Sequence, residues 1–162
     1  MRTLIVYSTK YGSTGQCAEK LAELTGADLF RLAKKKFPDI SQYDAVILGS
    51  PVYMGKISPL MQAFLNAHEQ KLHDKRVGIF VLCGVPADFK RHLVYNFSFE
   101  LLEKAEAKEC FGGEINQQKL KFFDKLIVKA VAKSRSEGMG ESDVSEEKVQ
   151  SFAQRFAASA QA

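Results

Sequence analysis

Three segments of this chain are apolar at almost every position: Thr3–Tyr7, Ala45–Leu48 and Val77–Cys83. None shows the apolar–polar alternation of a strand with one wet face. Strands that are apolar throughout have to be covered on both faces, and a parallel sheet between two layers of helices does this. That pattern argues against helical bundles and half-solvated antiparallel sheets before any other property is considered.

The intervening sequence supplies the helices. From Gly15 to Leu24, the residues Cys17, Ala18, Leu21 and Leu24 fall at helical spacing. Ser58-Pro59 reads as an N-cap followed by proline at the first helical position, and Leu60, Phe64 and Ala67 continue the stripe. Val94, Phe97 and Leu101 mark another helix, and Val149, Phe152, Ala153 and Phe156 a last one. Asp28–Leu32 predicts a weaker second strand, and Glu109–Phe111 a short fifth one closed by Gly112-Gly113. The third strand is expected to stop at Gly49-Ser50-Pro51 and the fourth at Gly84. A long helix is expected over about 118–133, followed by a polar, mobile loop over 134–143. The fold class is therefore α/β, as one domain over 1–162 with no repeat or dividing linker.

Hydrophobic residues at 46% and charged residues at 26% exclude a disordered chain. A net charge of +4 permits an anionic partner (nucleic acid, an acidic membrane surface or a phosphate) without selecting one. Cys17, Cys83 and Cys110 are odd in number and lack CxxC spacing, which points to buried thiols in a reducing compartment. The apolar N-terminal run breaks at Ser8, short of a signal-peptide core, and no uncharged apolar stretch reaches the roughly 18 residues of a membrane span. The expected location is the cytoplasm. His68, His73 and His92 have no metal-ligand spacing, so no metal is expected. No nucleic-acid-binding module is recognised, and no nucleic-acid partner is expected.

Ligands of an open parallel sheet bind beyond the carboxyl ends of its strands. Three loops there are chemically distinctive. The first, Ser8-Thr9-Lys10-Tyr11-Gly12-Ser13-Thr14, puts hydroxyls and backbone N–H groups at a helix N-terminus, which suits a phosphate; it also reads as a plain polar turn capping the helix. It lacks the glycine and lysine spacing of nucleotide-triphosphatase and dinucleotide loops. The second, Gly49-Ser50-Pro51-Val52-Tyr53-Met54-Gly55-Lys56, holds an aromatic between two glycines, where a flat cofactor can stack or Tyr53 can simply sit on the surface. The third, Cys83-Gly84-Val85-Pro86-Ala87-Asp88-Phe89-Lys90-Arg91, is shaped by Gly84 and Pro86 to bring backbone groups to a ring edge. Cys83 reads equally as a buried structural thiol.

Thr9-x-Tyr11-Gly12-x-Thr14 after the first strand resembles the phosphate loop of the flavodoxin family, and Gly49–Gly55 after the third strand resembles its second flavin loop. The resemblance covers nearly the whole chain. It implies a flavodoxin-like three-layer sandwich with a five-stranded parallel sheet in the order 2-1-3-4-5. It also implies an FMN cofactor, with its phosphate on Ser8, Thr9, Lys10, Tyr11, Gly12, Ser13 and Thr14. The isoalloxazine would lie between Ser50, Pro51, Val52, Tyr53, Met54 and Gly55 on one side and Cys83, Gly84 and Val85 on the other. Tyr53 would stack on the ring. Family members often carry a Trp in one flavin loop and a Tyr in the other; this chain has no Trp, and its third loop has Phe89 in place of Tyr.

Residues 111–131 resemble the insertion of bacterial quinone-dependent protoporphyrinogen dehydrogenases, which are flavodoxin-like enzymes. The shared features are the Gly112-Gly113 pair, the Lys121-Phe122-Phe123-Asp124-Lys125 core and the polar loop that follows. The insertion would occupy about 114–143. Leu120, Phe123, Ile127 and Val131 form an apolar stripe, with Lys121, Lys125, Lys129 and Lys133 on another flank. Such a helix can lie peripherally on the inner face of the cell membrane, border a porphyrin, form an oligomer contact, or pack on the sheet with a solvated lysine face.

The expectation is an FMN-dependent oxidoreductase passing electrons from a small organic substrate, such as a porphyrinogen, to a quinone or redox protein. Lys56, Lys90 and Arg91 would surround the ring and favour an anionic reduced flavin. The alternative is a flavodoxin-type electron carrier; such carriers are typically acidic, and this chain is basic. A third reading is a flavin-free regulatory module on the same fold.

Overall fold

Strand β1 (Thr3–Tyr7) is buried along its whole length and pairs in parallel with β2 (Asp28–Arg31) on one side and β3 (Ala45–Tyr53) on the other. The computed structural model describes residues 1–34, 36–113 and 144–161. The helix expected over 118–133, the insertion over 114–143 and the lysines 121, 125 and 129 lie outside the described residues. Beyond β3 come β5 (Arg76–Leu82) and β6 (Ala107–Cys110), both parallel, while β4 (Lys56–Ile57) is a short antiparallel appendage on β3. The order β2-β1-β3-β5-β6 is the expected 2-1-3-4-5 once β4 is set aside.

Helix α1 (Ser13–Thr25) and the C-terminal helix α5 (Glu146–Ser159) cover one face of the sheet. There Ile5, Ile47, Phe80 and Leu82 meet Cys17, Leu21, Val149, Phe152 and Phe156. The other face carries α2 (Pro59–Leu72), α3 (Phe89–Asn96) and α4 (Phe99–Lys104), where Leu4, Val46, Leu48 and Ile79 meet Phe64, Leu65, Leu93 and Leu101. Successive strand residues feed opposite faces, which is why the strands read as continuously apolar. Each such side chain fully buried contributes about 1.5–3 kcal/mol.

Two expectations are corrected. The helix marked by Val94, Phe97 and Leu101 is two helices, because Phe97 is extended and the Ser98 hydroxyl caps α4 by accepting from the Leu101 N–H. Leu93, Phe97 and Leu101 form the buried stripe, while Val94 is 74% exposed. The third strand does not stop at Gly49-Ser50-Pro51 but runs to Tyr53. The Gly49 carbonyl accepts from the Ser8 N–H, so alternate residues face β1 and Pro51 points past its end. There its missing N–H leaves no ladder bond unmade.

Gly49 lies under the ring of Phe80, and a Cβ built on it would sit 2.1 Å from Phe80 Cζ. Phe80 cannot retreat, because it is stacked on Phe111 at 4.9 Å and edge-on to Phe152 at 6.4 Å. Gly49→Ala is therefore expected to destabilise the fold by about 3 kcal/mol. Denaturant titration should show part of that loss recovered in the Gly49→Ala, Phe80→Leu double variant.

Candidate functional site

The carboxyl ends of β1, β3 and β5 lie side by side, and the site grows from their unequal lengths. Tyr7, the last residue of β1, pairs with Gly49, yet β3 continues to Tyr53. On the other side β3 stays paired with β5 as far as Pro51 and Leu82. A crevice therefore opens beside β3, between its overhang and the segment from Ser8 to Thr14.

Hydroxyls bind the two walls of this crevice together. Ser8 Oγ lies 3.4 Å from Ser50 Oγ, both buried. Ser50 Oγ also accepts from the Ser58 N–H at 3.0 Å, at the cap of α2. The Gly12 N–H donates to Thr9 Oγ1 at 3.0 Å, which turns the chain into α1. Helix α1 has no side-chain cap. Its Thr14 is fully buried, and the Thr14 hydroxyl has no hydrogen-bond partner among the described residues. A buried polar atom without a partner costs about 1–3 kcal/mol, and here it stands in the first turn of a helix whose N–H groups favour an anion.

The second sequence loop is a β-hairpin. Val52 and Tyr53 pair with Ile57 and Lys56, and the turn residues Met54 (φ 51°) and Gly55 (φ 78°) are both left-handed. That is the backbone of a two-residue hairpin turn of the primed type, normal for Gly55 and strained for Met54, whose side chain is fully exposed. Tyr53 meets Tyr11 edge-on at 6.1 Å, with Lys10 Nζ near both rings at 5.1 and 5.2 Å. The first and second sequence motifs thus touch.

Next to the hairpin is a cleft of about 480 Å³. Val52, Met54 and Gly55 line it from one side and Cys83, Gly84 and Val85 from the other, with Asp88, Arg91, His92 and Tyr95 closing it from the segment that leads into α3 and from α3 itself. Six of the sequence-predicted residues therefore share one cavity. Ser8–Thr14 form the adjoining crevice, and Ser50 and Pro51 lie within β3, Ser50 as the tie between the walls. Phe89 does not take the place of an exposed aromatic: it packs against the core, and Tyr95, one turn and a half further along the chain, is 68% exposed at the cleft. Of the three cations expected around a ring, Arg91 lines the cleft and is paired with Asp88 at 2.9 Å, while Lys56 and Lys90 are exposed outside the lining.

At the floor of the cleft, Cys83 Sγ lies 2.9 Å from Cys110 Sγ. Either thiol can donate in this contact; the bond holds the Cys110 thiol below its ordinary range, against the opposite effect of burial, and Cys83 above its own.

Sequence reasoning missed Asn96. Its amide donates to the Gly55 carbonyl at 2.8 Å and its carbonyl accepts from the Ile57 N–H at 2.9 Å, so one side chain clamps the hairpin. An Asn at the end of a short amphipathic helix gives no sequence signal of this. Tyr95 did give one, as an aromatic off the apolar stripe. No group of three or more metal-ligating side chains exists among the described residues.

Asn96→Ala is expected to cost about 1–3 kcal/mol and to accelerate hydrogen exchange at the Ile57 amide ahead of its neighbours. Met54→Asn should stabilise the chain by about 1 kcal/mol, since Asn tolerates the left-handed turn. Denaturant melts of the two variants should move in opposite directions.

The family model described as flavodoxin domain matches residues 4–143. The protoporphyrinogen IX dehydrogenase [quinone] of Escherichia coli (strain K12) is 24% identical over 160 residues, covering 92% of this chain and 87% of that protein. Among solved structures, the flavodoxin, WrbA-like protein from Agrobacterium tumefaciens superposes with a TM-score of 0.59 at 20% identity, over 99% of this chain and 98% of its own. The Streptococcus pneumonia TIGR4 flavodoxin gives 0.57 at 15% identity, over 98% and 99%. The Fusobacterium nucleatum flavodoxin bound to flavin mononucleotide gives 0.53 at 16%, over 98% and 99%. At these identities the structural likeness concerns the fold.

Proposed function

Because the chain belongs to the flavodoxin domain family, we propose that it binds FMN at the carboxyl edge of its sheet and works as a flavin oxidoreductase. The observation that carries the reading is the buried hydroxyl of Thr14 in the first turn of α1, which has no hydrogen-bond partner among the described residues and stands at a helix N-terminus of the kind that suits a phosphate. Ser8, Thr9, Lys10, Tyr11, Gly12 and Ser13 would complete the phosphate site. Val52, Tyr53, Met54 and Gly55 from the hairpin, with Cys83, Gly84 and Val85 opposite, would hold the ring. Bound FMN would supply the reversible electron chemistry at the cleft. The chain's own part is to seat the phosphate, to fix the hairpin through Asn96 and Ser50, and to set the charge beside the ring through the Arg91–Asp88 pair.

The narrower proposal is oxidation of a porphyrinogen with a quinone as acceptor. It is supported by the similarity to the Escherichia coli enzyme along most of both chains and by the sequence pattern of 111–131. Peripheral contact with an anionic membrane through Lys121, Lys125 and Lys129 belongs to the same proposal; no helix among the described residues is long and apolar enough to cross a membrane. A carrier without a substrate of its own is favoured instead by the exposed rim of the cleft, where Met54, Val85 and Tyr95 offer apolar surface to a protein partner.

Thr14→Val tests the flavin site. The variant removes a hydroxyl that bonds to nothing among the described residues, so stability should hold or rise slightly. FMN affinity, read by fluorescence quenching, should fall about tenfold. Unchanged affinity contradicts the phosphate site. Anaerobic turnover of protoporphyrinogen with a menaquinone analogue is expected of the FMN-loaded protein, and FMN binding without turnover favours the carrier. Flotation with anionic liposomes should be lost when Lys121, Lys125 and Lys129 are changed to Glu; a wild-type protein that never floats removes the membrane contact.

A further inference from the structure

The Cys83 and Cys110 sulfurs are 2.9 Å apart, and a disulfide brings them to about 2.05 Å, so bonding asks for an approach of less than about 1 Å. The sheet holds the pair in place. Cys110 is in register with Val81 of β5, and Cys83 stands two residues further along that chain, hence on the same face. Backbone bonds fix both sides: the Phe111 N–H donates to the Val81 carbonyl at 3.0 Å, and the Cys83 N–H to the Gly112 carbonyl at 2.8 Å. Both thiols are buried, yet Cys83 lines the cleft, so the pair opens to whatever occupies that cavity. Lys148 Nζ lies 3.3 Å from the Cys110 carbonyl and 3.8 Å from Glu109 Oε1. A lowered Cys110 thiol agrees with this arrangement, since the thiolate is the reactive form.

We propose that Cys83 and Cys110 are a reversible dithiol–disulfide couple that exchanges electron pairs with the flavin of the adjacent cleft. The inference rests on the flavin reading above and adds a second redox centre to it. In oxidation of the couple, both sulfur-bound protons are lost and one S–S bond forms. The electron pair and one proton go to oxidised flavin, and the other proton goes to solvent. The reverse step breaks the S–S bond and returns both thiols. A protein built this way stores a second electron pair next to its cofactor.

The test is an anaerobic reductive titration of the FMN-loaded full chain after oxidation with diamide and desalting. Dithionite uptake per flavin in the wild type should be twice that of Cys110→Ala. Because both thiols are buried in the folded chain, N-ethylmaleimide labelling in denaturant followed by mass spectrometry should find Cys83 and Cys110 blocked before the titration and labelled after it. Cys17→Ala should keep the doubled uptake. Cys83→Ser, a second route to the same loss should Cys110→Ala fold poorly, should show the halved one. Equal uptake in wild type and variants, with both thiols labelled throughout, overturns the proposal. Failure of the flavin reading is seen separately, as no quenching of FMN fluorescence on mixing. Intact mass of the flavin-free protein after diamide then decides the couple: loss of two hydrogens in wild type and none in Cys110→Ala supports it, and an unchanged wild-type mass overturns it.

Discussion

Strand β3 outruns β1 at the carboxyl edge of the sheet, and the arrangement of the site depends on that mismatch. With Tyr7 paired to Gly49, the four residues from Ser50 to Tyr53 have no β1 partner. Pro51 suits this stretch because its missing N–H faces the gap. The overhang is not left loose: β5 pairs with it to Pro51, β4 folds back on Val52 and Tyr53, and the Ser50 hydroxyl joins it to Ser8 and to the α2 cap. In a doubly wound sheet this position, where the strand order reverses, is where the crevice forms.

The same edge combines rigid and strained parts. Gly49 sits flat under Phe80, itself packed on Phe111 and Phe152, so the base of the crevice cannot shift without disturbing the core on the α1–α5 face. The hairpin above it carries a left-handed Met54 whose side chain touches solvent alone, a local cost of about 1–3 kcal/mol tolerated at the lip of a cavity. Thr14 adds a second cost, a buried hydroxyl without a partner among the described residues. Both lie where an anion or a flat ring would fit.

Much of the architecture was legible in the sequence, because strands buried on both faces leave uninterrupted apolar runs. Thr3–Tyr7 and Arg76–Leu82 fall within a residue of expectation, and the last helix buries the four residues its spacing named. The two errors have different causes. Gly49-Ser50-Pro51 carries every local signal of a loop, yet pairing with β5 overrides it. Val94, Phe97 and Leu101 have helical spacing, yet the Ser98 cap splits the segment and Leu93 takes the buried position. A tertiary partner decided the first and a local cap the second. Within the site, motif order placed Val52, Met54, Gly55, Cys83, Gly84 and Val85 around one cleft. Asn96 and the Cys83–Cys110 contact depend on segments far apart in sequence, and no local pattern announces them, whereas Tyr95 is marked only as an aromatic off the apolar stripe.

A flavin seated across the end of β3 is the central claim, and backbone amide shifts measured by NMR during FMN addition test it most directly. The largest changes are expected at Gly12, Ser13 and Thr14, from the phosphate, and at Tyr53, Met54, Gly55, Gly84 and Val85, from the ring, with β2 and the far ends of the strands unmoved. Changes confined to another part of the surface, or none at saturating FMN, would contradict it.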